Sequence, residues 1–151
     1  MKKSVFLAFA LALTTAVSAQ IEYKVITTVE SIVPMGLGRS RIIENTTDIE
    51  VDNFTTERTD GKKSDQGDVK RKDAKIDSFK ESKLLNFYSG VGINFQNIAS
   101  NDALITDKLN DLSEEGWTLF TVSSGVESDS GKDDGKGIFI TRYIFTREKS
   151  E

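Results

Sequence analysis

The apolar residues of this chain fall into separated patches, and each patch has its own period. Val5 to Leu13 is a nearly unbroken apolar run. Lys2 and Lys3 precede it and the small-residue pattern Val17-Ser18-Ala19 follows, which is the layout of a signal peptide cut near Ala19. Even counted from Val5 to Val17, the run is shorter than the roughly 20 residues a helix needs to cross the hydrocarbon core. Residues 1–19 therefore read as an export signal and not as a stable membrane anchor. The mature chain is expected to begin at Gln20 and to be periplasmic or secreted.

From Ile21 to Ile32 the residues IEYKVITTVESI are rich in β-branched side chains and partly alternate. Tyr23, Val25 and Val29 share one parity and Lys24 and Glu30 the other, which predicts a strand. Pro34, Gly36 and Gly38 break it, and Arg39 to Ile43 predicts a short second strand. After a long polar interval, Leu84 to Phe95 (LLNFYSGVGINF) returns to apolar and aromatic character. Ser100 or Asn101 is placed to cap a helix of about 15 residues, with Ile105, Leu109 and Leu112 at i, i+4 and i+7. Leu104 lies beside that stripe, Asp107, Lys108, Asp111 and Glu114 mark the polar face, and Gly116 supplies the stop. Trp117 to Val122 and Ile138 to Arg147 predict two further strands, joined by an exposed Gly/Ser/Asp loop over about 123–137. Nothing helical intervenes between them, so antiparallel pairing is expected.

These elements predict an α+β fold in a single domain over residues 20–151, a small antiparallel β-sheet with one main amphipathic helix packed on one face. Leu109 and Leu112 are its structural stripe. Gly116 takes the left-handed conformation that ends a helix, which lets Trp117 fold back near Leu112 as a core plug in preference to a ligand-stacking platform. The order Tyr23-Lys24-Val25, then Leu109-Asn110-Asp111-Leu112-Ser113-Glu114-Glu115-Gly116-Trp117, then Tyr143-Ile144-Phe145-Thr146-Arg147 resembles the bacterial family called domain of unknown function 4177. The resemblance covers Glu22 to Val29 and about Asn101 to Glu148 and leaves the polar interval outside it. It implies a small α+β domain and brings no activity, substrate or catalytic residue.

Charge changes the picture in the middle of the chain. From Asn45 to Lys83, 19 of 39 residues are charged, 9 basic against 10 acidic, and the aromatics are limited to Phe54 and Phe79. A segment of that composition predicts a polar insertion over about 45–83 that adds little core, with a hairpin turning at Asp60-Gly61. Asp48, Glu50 and Asp52 would share one strand face there and read as a wet surface in preference to a calcium site. Lys70-Arg71-Lys72 sits among acids. The whole chain carries 20 basic and 24 acidic residues; without Lys2 and Lys3 the balance is 18 − 24 = −6, too acidic for a nucleic-acid-binding reading. There are no histidines and no cysteines, so thiolate metal sites, cysteine nucleophiles, histidine bases, disulfides and a lipid-bearing N-terminal cysteine are excluded.

No cofactor, metal or catalytic residue is expected from the remaining motifs. Gly125 to Asp133 has five residues between its glycines where a phosphate loop needs four, and Asp133 stands where a Ser or Thr belongs. Gly36-Leu37-Gly38 lacks a third glycine, and Asp129, Asp133 and Asp134 fit no EF-hand register. Glu114 and Glu115 are adjacent, but neighbours on a helix diverge by about 100° and do not converge on one atom. No S-x-x-K spacing occurs after residue 19, and Asn45-Thr46-Thr47 and Asn53-Phe54-Thr55 read as chance glycosylation acceptors behind a bacterial-looking export signal.

The last strand is apolar on both parities, Ile138, Ile140 and Ile144 on one and Phe139, Tyr143 and Phe145 on the other. One helix covers one face, so the aromatic parity is expected to need a second cover. Either Leu84 to Phe95 folds back over it, or Phe139, Tyr143 and Phe145 form a candidate interaction surface for a second copy or for another envelope or secreted protein. The leading expectation is an exported, non-enzymatic interaction module. The runner-up is a small-molecule binder or weak hydrolase using carboxylate or Ser/Lys groups.

Overall fold

The computed structural model describes residues 20–32, 39–127 and 137–149. The signal-peptide reading of residues 1–19, the break at Pro34, Gly36 and Gly38, and most of the Gly/Ser/Asp loop lie outside the described residues. The elements are β1 (Ile21–Ser31), β2 (Arg41–Asn45), β3 (Phe79–Lys83), β4 (Tyr88–Ser89), β5 (Gly92–Ile93), α1 (Phe95–Glu114), β6 (Thr118–Glu127) and β7 (Ile138–Glu148). Five strands form an antiparallel sheet in the order β3-β2-β1-β7-β6, and β4 and β5 make a separate two-stranded hairpin. With one α-helix among the described residues, the fold is α+β.

β1 holds the centre of the sheet because it is long and β-branched enough to pair on both sides. It runs against β7 from Ile21↔Glu148 to Ser31↔Ile138 and against β2 from Ile26↔Glu44 to Val29↔Arg41. β6 is longer than the sequence predicts: Ser123 to Glu127, read as loop, continue the strand opposite Arg142 to Ile138. A bulge between Leu119 and Thr121 sets Phe120 out of the regular ladder. The polar insertion also contributes a strand, because its last residues, Phe79 to Lys83, pair with β2. Its expected hairpin does not form. Asp60 Oδ1 instead accepts the amides of Lys62 and Lys63 in a tight turn at Gly61 (φ 68°), with no flanking strands. Asp48, Glu50 and Asp52 are exposed, and Asp52 lies in a short 3-10 turn over Val51–Phe54.

The helix also begins earlier than predicted. Asn94 is the cap, its side chain accepting the Asn97 amide at 3.2 Å, so α1 has 20 residues and Ser100 and Asn101 lie inside it. Ser100 donates back to the Gln96 carbonyl at 2.8 Å, while Asn101 is fully buried and bonds outside the helix. At the other end the Trp117 amide donates to the Leu112 carbonyl (2.9 Å) and the Gly116 amide to the Ser113 carbonyl (3.0 Å). That pair of bonds, with Gly116 at φ 85°, is a Schellman closure. It points Trp117 back onto Leu112, and the two share one buried cluster with Ile26, Ile42, Leu84 and Phe145. Ile105, Leu109 and Tyr143 pack against that cluster. Each fully buried apolar side chain of this kind contributes roughly 1.5–3 kcal/mol relative to exposure.

Directly paired residues share a face, so the registers define both sides of the sheet. The helix side carries Glu22, Lys24, Ile26, Thr28 and Glu30 of β1, Ile42 and Glu44 of β2, and Phe139, Tyr143 and Phe145 of β7. The aromatic parity of the last strand therefore lies on the helix side, which corrects the expectation that the helix covers the other parity, while Leu84 to Phe95 supplies part of the expected second cover. Phe145 is buried beneath the helix, Tyr143 packs beside it, and Phe139, partly open, meets Phe87 at 5.6 Å between ring centroids. The segment from Leu84 to Phe95 folds back on this same side, but only in part. Leu84 is buried, whereas Val91, Ile93 and Phe95 are exposed.

Candidate functional site

Three arrangements of chemistry-bearing residues stand out, and two of them hold the fold together. The first surrounds Trp117. The Arg147 guanidinium lies over the indole at 4.2 Å and Lys24 Nζ is 5.2 Å from the ring centre, close enough for cation–π attraction. Lys24 also bonds Glu44 at 3.1 Å, and Lys108 of α1 reaches the other oxygen of the same carboxylate at 2.7 Å. Burial by itself would raise the Glu44 carboxyl; the hydrogen bonds and charges of Lys108 and Lys24 outweigh it and hold the group below its ordinary value of 4.5. A carboxylate held in that way is a fixed anion, unsuited to donate or take a proton near neutrality.

The second arrangement ties the returning segment to the helix and sheet. Asn101 Oδ1 accepts the Leu85 amide at 2.8 Å, and its Nδ2 donates to the Leu85 carbonyl (2.7 Å) and to Glu30 Oε1 (3.0 Å). Ser40 Oγ accepts the Ser31 amide at 2.9 Å and donates to Asn86 Oδ1 at 2.6 Å. These polar groups stand in for the missing ladder of a strand along Leu84 to Asn86. Nearby, burial pushes the Tyr143 hydroxyl above its ordinary value, and Glu30 and Asp102 push it the same way. The Thr28 hydroxyl opposes that rise, although it has no partner at full hydrogen-bond geometry.

The carboxylates of the hydrolase reading do not meet. Glu115 approaches Lys24 at 3.7 Å, and Glu114 is exposed on the last turn of α1. A shallow cleft between α1 and the β2–β3 edge includes Lys80, Lys108, Asp107 and Asp111, with Glu44 at its base. Glu44 and Lys108 are already each other's partners there.

The third arrangement is the sheet face away from the helix. Along the first half of β1 the usual polarity is reversed: Glu22 and Lys24 point to the helix side, and Ile21, Tyr23 and Val25 point to the open side. Arg147 and Glu44 take up the inward charges, Arg147 bonding Glu22 at 2.7 Å. The outward residues have no such compensation. Ile21 is 58% exposed, Tyr23 63%, Val25 43% and Phe120 65%, and Tyr23 and Phe120 meet edge to face at 6.3 Å. These four side chains leave on the order of 400 Å² of largely apolar surface open, as much as the largest patch on a typical monomer.

Sequence reasoning singled out Phe139, Tyr143 and Phe145 and passed over Ile21, Val25 and Phe120. The parity of Tyr23 and Val25 was visible, but charge on the opposite parity marked that side as wet. Leu109, Leu112, Gly116 and Trp117 lie together at the helix end and its packing against the sheet. Comparison with known proteins found no matching family model, no similar curated protein and no similar solved structure.

Proposed function

We propose that this chain is an exported, non-enzymatic interaction module that binds another protein through the open face of its sheet. The observation that carries this reading is the reversed polarity of β1. A strand that turns Ile21, Tyr23 and Val25 to solvent and Glu22 and Lys24 toward its own helix loses apolar burial unless the outer face is covered by something else. Export rests on the sequence pattern of residues 1–19. β1 begins at Ile21, so cleavage after Ala19 leaves the whole strand in place.

A photo-crosslinking amino acid at Tyr23, compared with the same group at Leu104 on the exposed side of α1, tests the reading in the native host. A discrete product from position 23 that is absent from position 104 and lost with Phe120→Lys is the expected result. Equal labelling at both positions overturns it. Intact mass of the exported protein should correspond to a chain starting at Gln20; a mass retaining residues 1–19 removes the export part of the proposal.

A further inference from the structure

The two edges of the sheet differ in chemistry. β3, at one end, has the sequence FKESK and guards its edge with Lys80, Glu81 and Lys83. β6, at the other end, reads TLFTVSSGVE, with a single charge at Glu127 and no proline. All ten of its residues are exposed, and its apolar side chains emerge on both sides of the sheet: Leu119 is 45% exposed, Phe120 65%, Val122 48% and Val126 57%. Among the described residues no strand pairs with its outer side. Long, uncharged, apolar edges recruit another strand, and proteins normally block them with charge, proline or a bulge. Among the described residues the one blocking device is the bulge at Phe120, which leaves Thr121–Glu127 straight over roughly 24 Å.

We infer that β6 pairs with β6 of a second copy of this chain, antiparallel and edge to edge, joining the two sheets into one. The inference builds on the interaction-module reading but uses the strand edge in place of the open face. A second copy is the occupant favoured by the sequence of the strand itself. Centring the pair on Ser124 sets Val122 of each copy opposite Val126 of the other, and Thr121 opposite Glu127. Two apolar cross-strand pairs form and no like charges face each other. The contact is short, at the low end of interface sizes near 1,000 Å² in total, so the dimer is reversible and concentration-dependent.

The absence of cysteine provides a clean reporter. Directly opposed residues have Cβ atoms about 4.5–5.5 Å apart, within the movement needed for a disulfide. Ser124→Cys in the mature chain should form a covalent dimer under mild oxidation, in proportion to a dimer mass seen by sedimentation of the unmodified protein at high concentration. Ser113→Cys, on the exposed side of α1, should not. Val122→Lys should weaken dimerisation by about tenfold or more, with the far-ultraviolet spectrum unchanged; Val126→Lys is the second variant should the first fail to fold. Tyr23→Lys should leave the dimer intact. A strictly monomeric mass at the highest soluble concentration, with no Ser124→Cys product, overturns edge pairing while the crosslink from Tyr23 is judged separately. A dimer abolished by Tyr23→Lys but not by Val122→Lys overturns it in favour of face-to-face association, which keeps the interaction-module reading.

Discussion

Arg147, two residues before the end of the described chain, closes over Trp117 at 4.2 Å from the ring centroid. The same guanidinium bonds Glu22 on β1 and donates to the Glu115 carbonyl, left open by the helix terminus, at 3.0 Å. One side chain thus joins the last strand, the first strand and the end of the helix. Arg147→Lys keeps the charge but loses the planar stack and the fork. A loss of about 1 kcal/mol in urea unfolding is expected, small because the side chain is partly exposed to water. Trp117→Ala removes the buried indole itself and should cost about 3–5 kcal/mol in the same measurement.

Gly116 tests the closure from the backbone side. A Cβ there would sit 3.6 Å from Arg147 Cδ, an ordinary contact, so space is no obstacle. The φ of 85° is the obstacle. Gly116→Ala should therefore destabilise by about 1–2 kcal/mol through backbone strain alone, and Gly116→Asn by less. Equal effects of Ala and Asn on the denaturation midpoint would contradict the left-handed closure.

Asn101 is fully buried and carries three hydrogen bonds that no apolar residue can replace. Asn101→Leu matches its bulk but strands the Leu85 amide and carbonyl. A loss of about 2–4 kcal/mol is expected. Hydrogen exchange should show Leu84 to Phe87 losing protection before the β1–β7 pair does.

Acid should weaken the fold through Glu44. Its folded carboxyl titrates below its ordinary value, so the unfolded chain binds the proton more readily. The stabilisation is complete above the unfolded value of about 4.5 and fades as pH falls through the lower folded value. Glu44→Gln should be less stable than the parent at pH 7 and show a shallower loss between pH 5 and pH 3, read from urea midpoints. Parallel curves for the two proteins would deny Glu44 this role.

The parts of the fold legible in the sequence were those fixed by local rules. The leucine stripe of the helix, its stop at Gly116, and the first and last strands needed only periodicity and a glycine. The helix start was misplaced because Asn94 and Asn101 are both plausible caps by type, and only tertiary contacts make Asn101 a clamp on Leu85. The extension of β6 into Ser123-Ser124-Gly125 was hidden because those residues favour turns, and only the ladder with Arg142, Thr141 and Ile140 of β7 holds them extended. The open face was assigned to the wrong parity for a related reason. Charge on a strand usually marks the wet side, but here Glu22 and Lys24 find their partners in Arg147 and Glu44, distant in sequence.

The unequal edges set a limit on growth. If two copies join at β6, the strip they make ends on both sides in β3, where Lys80, Glu81 and Lys83 stand guard. Such an assembly is isologous and finite, complete at a pair, with no sticky end left from which a fibre could extend.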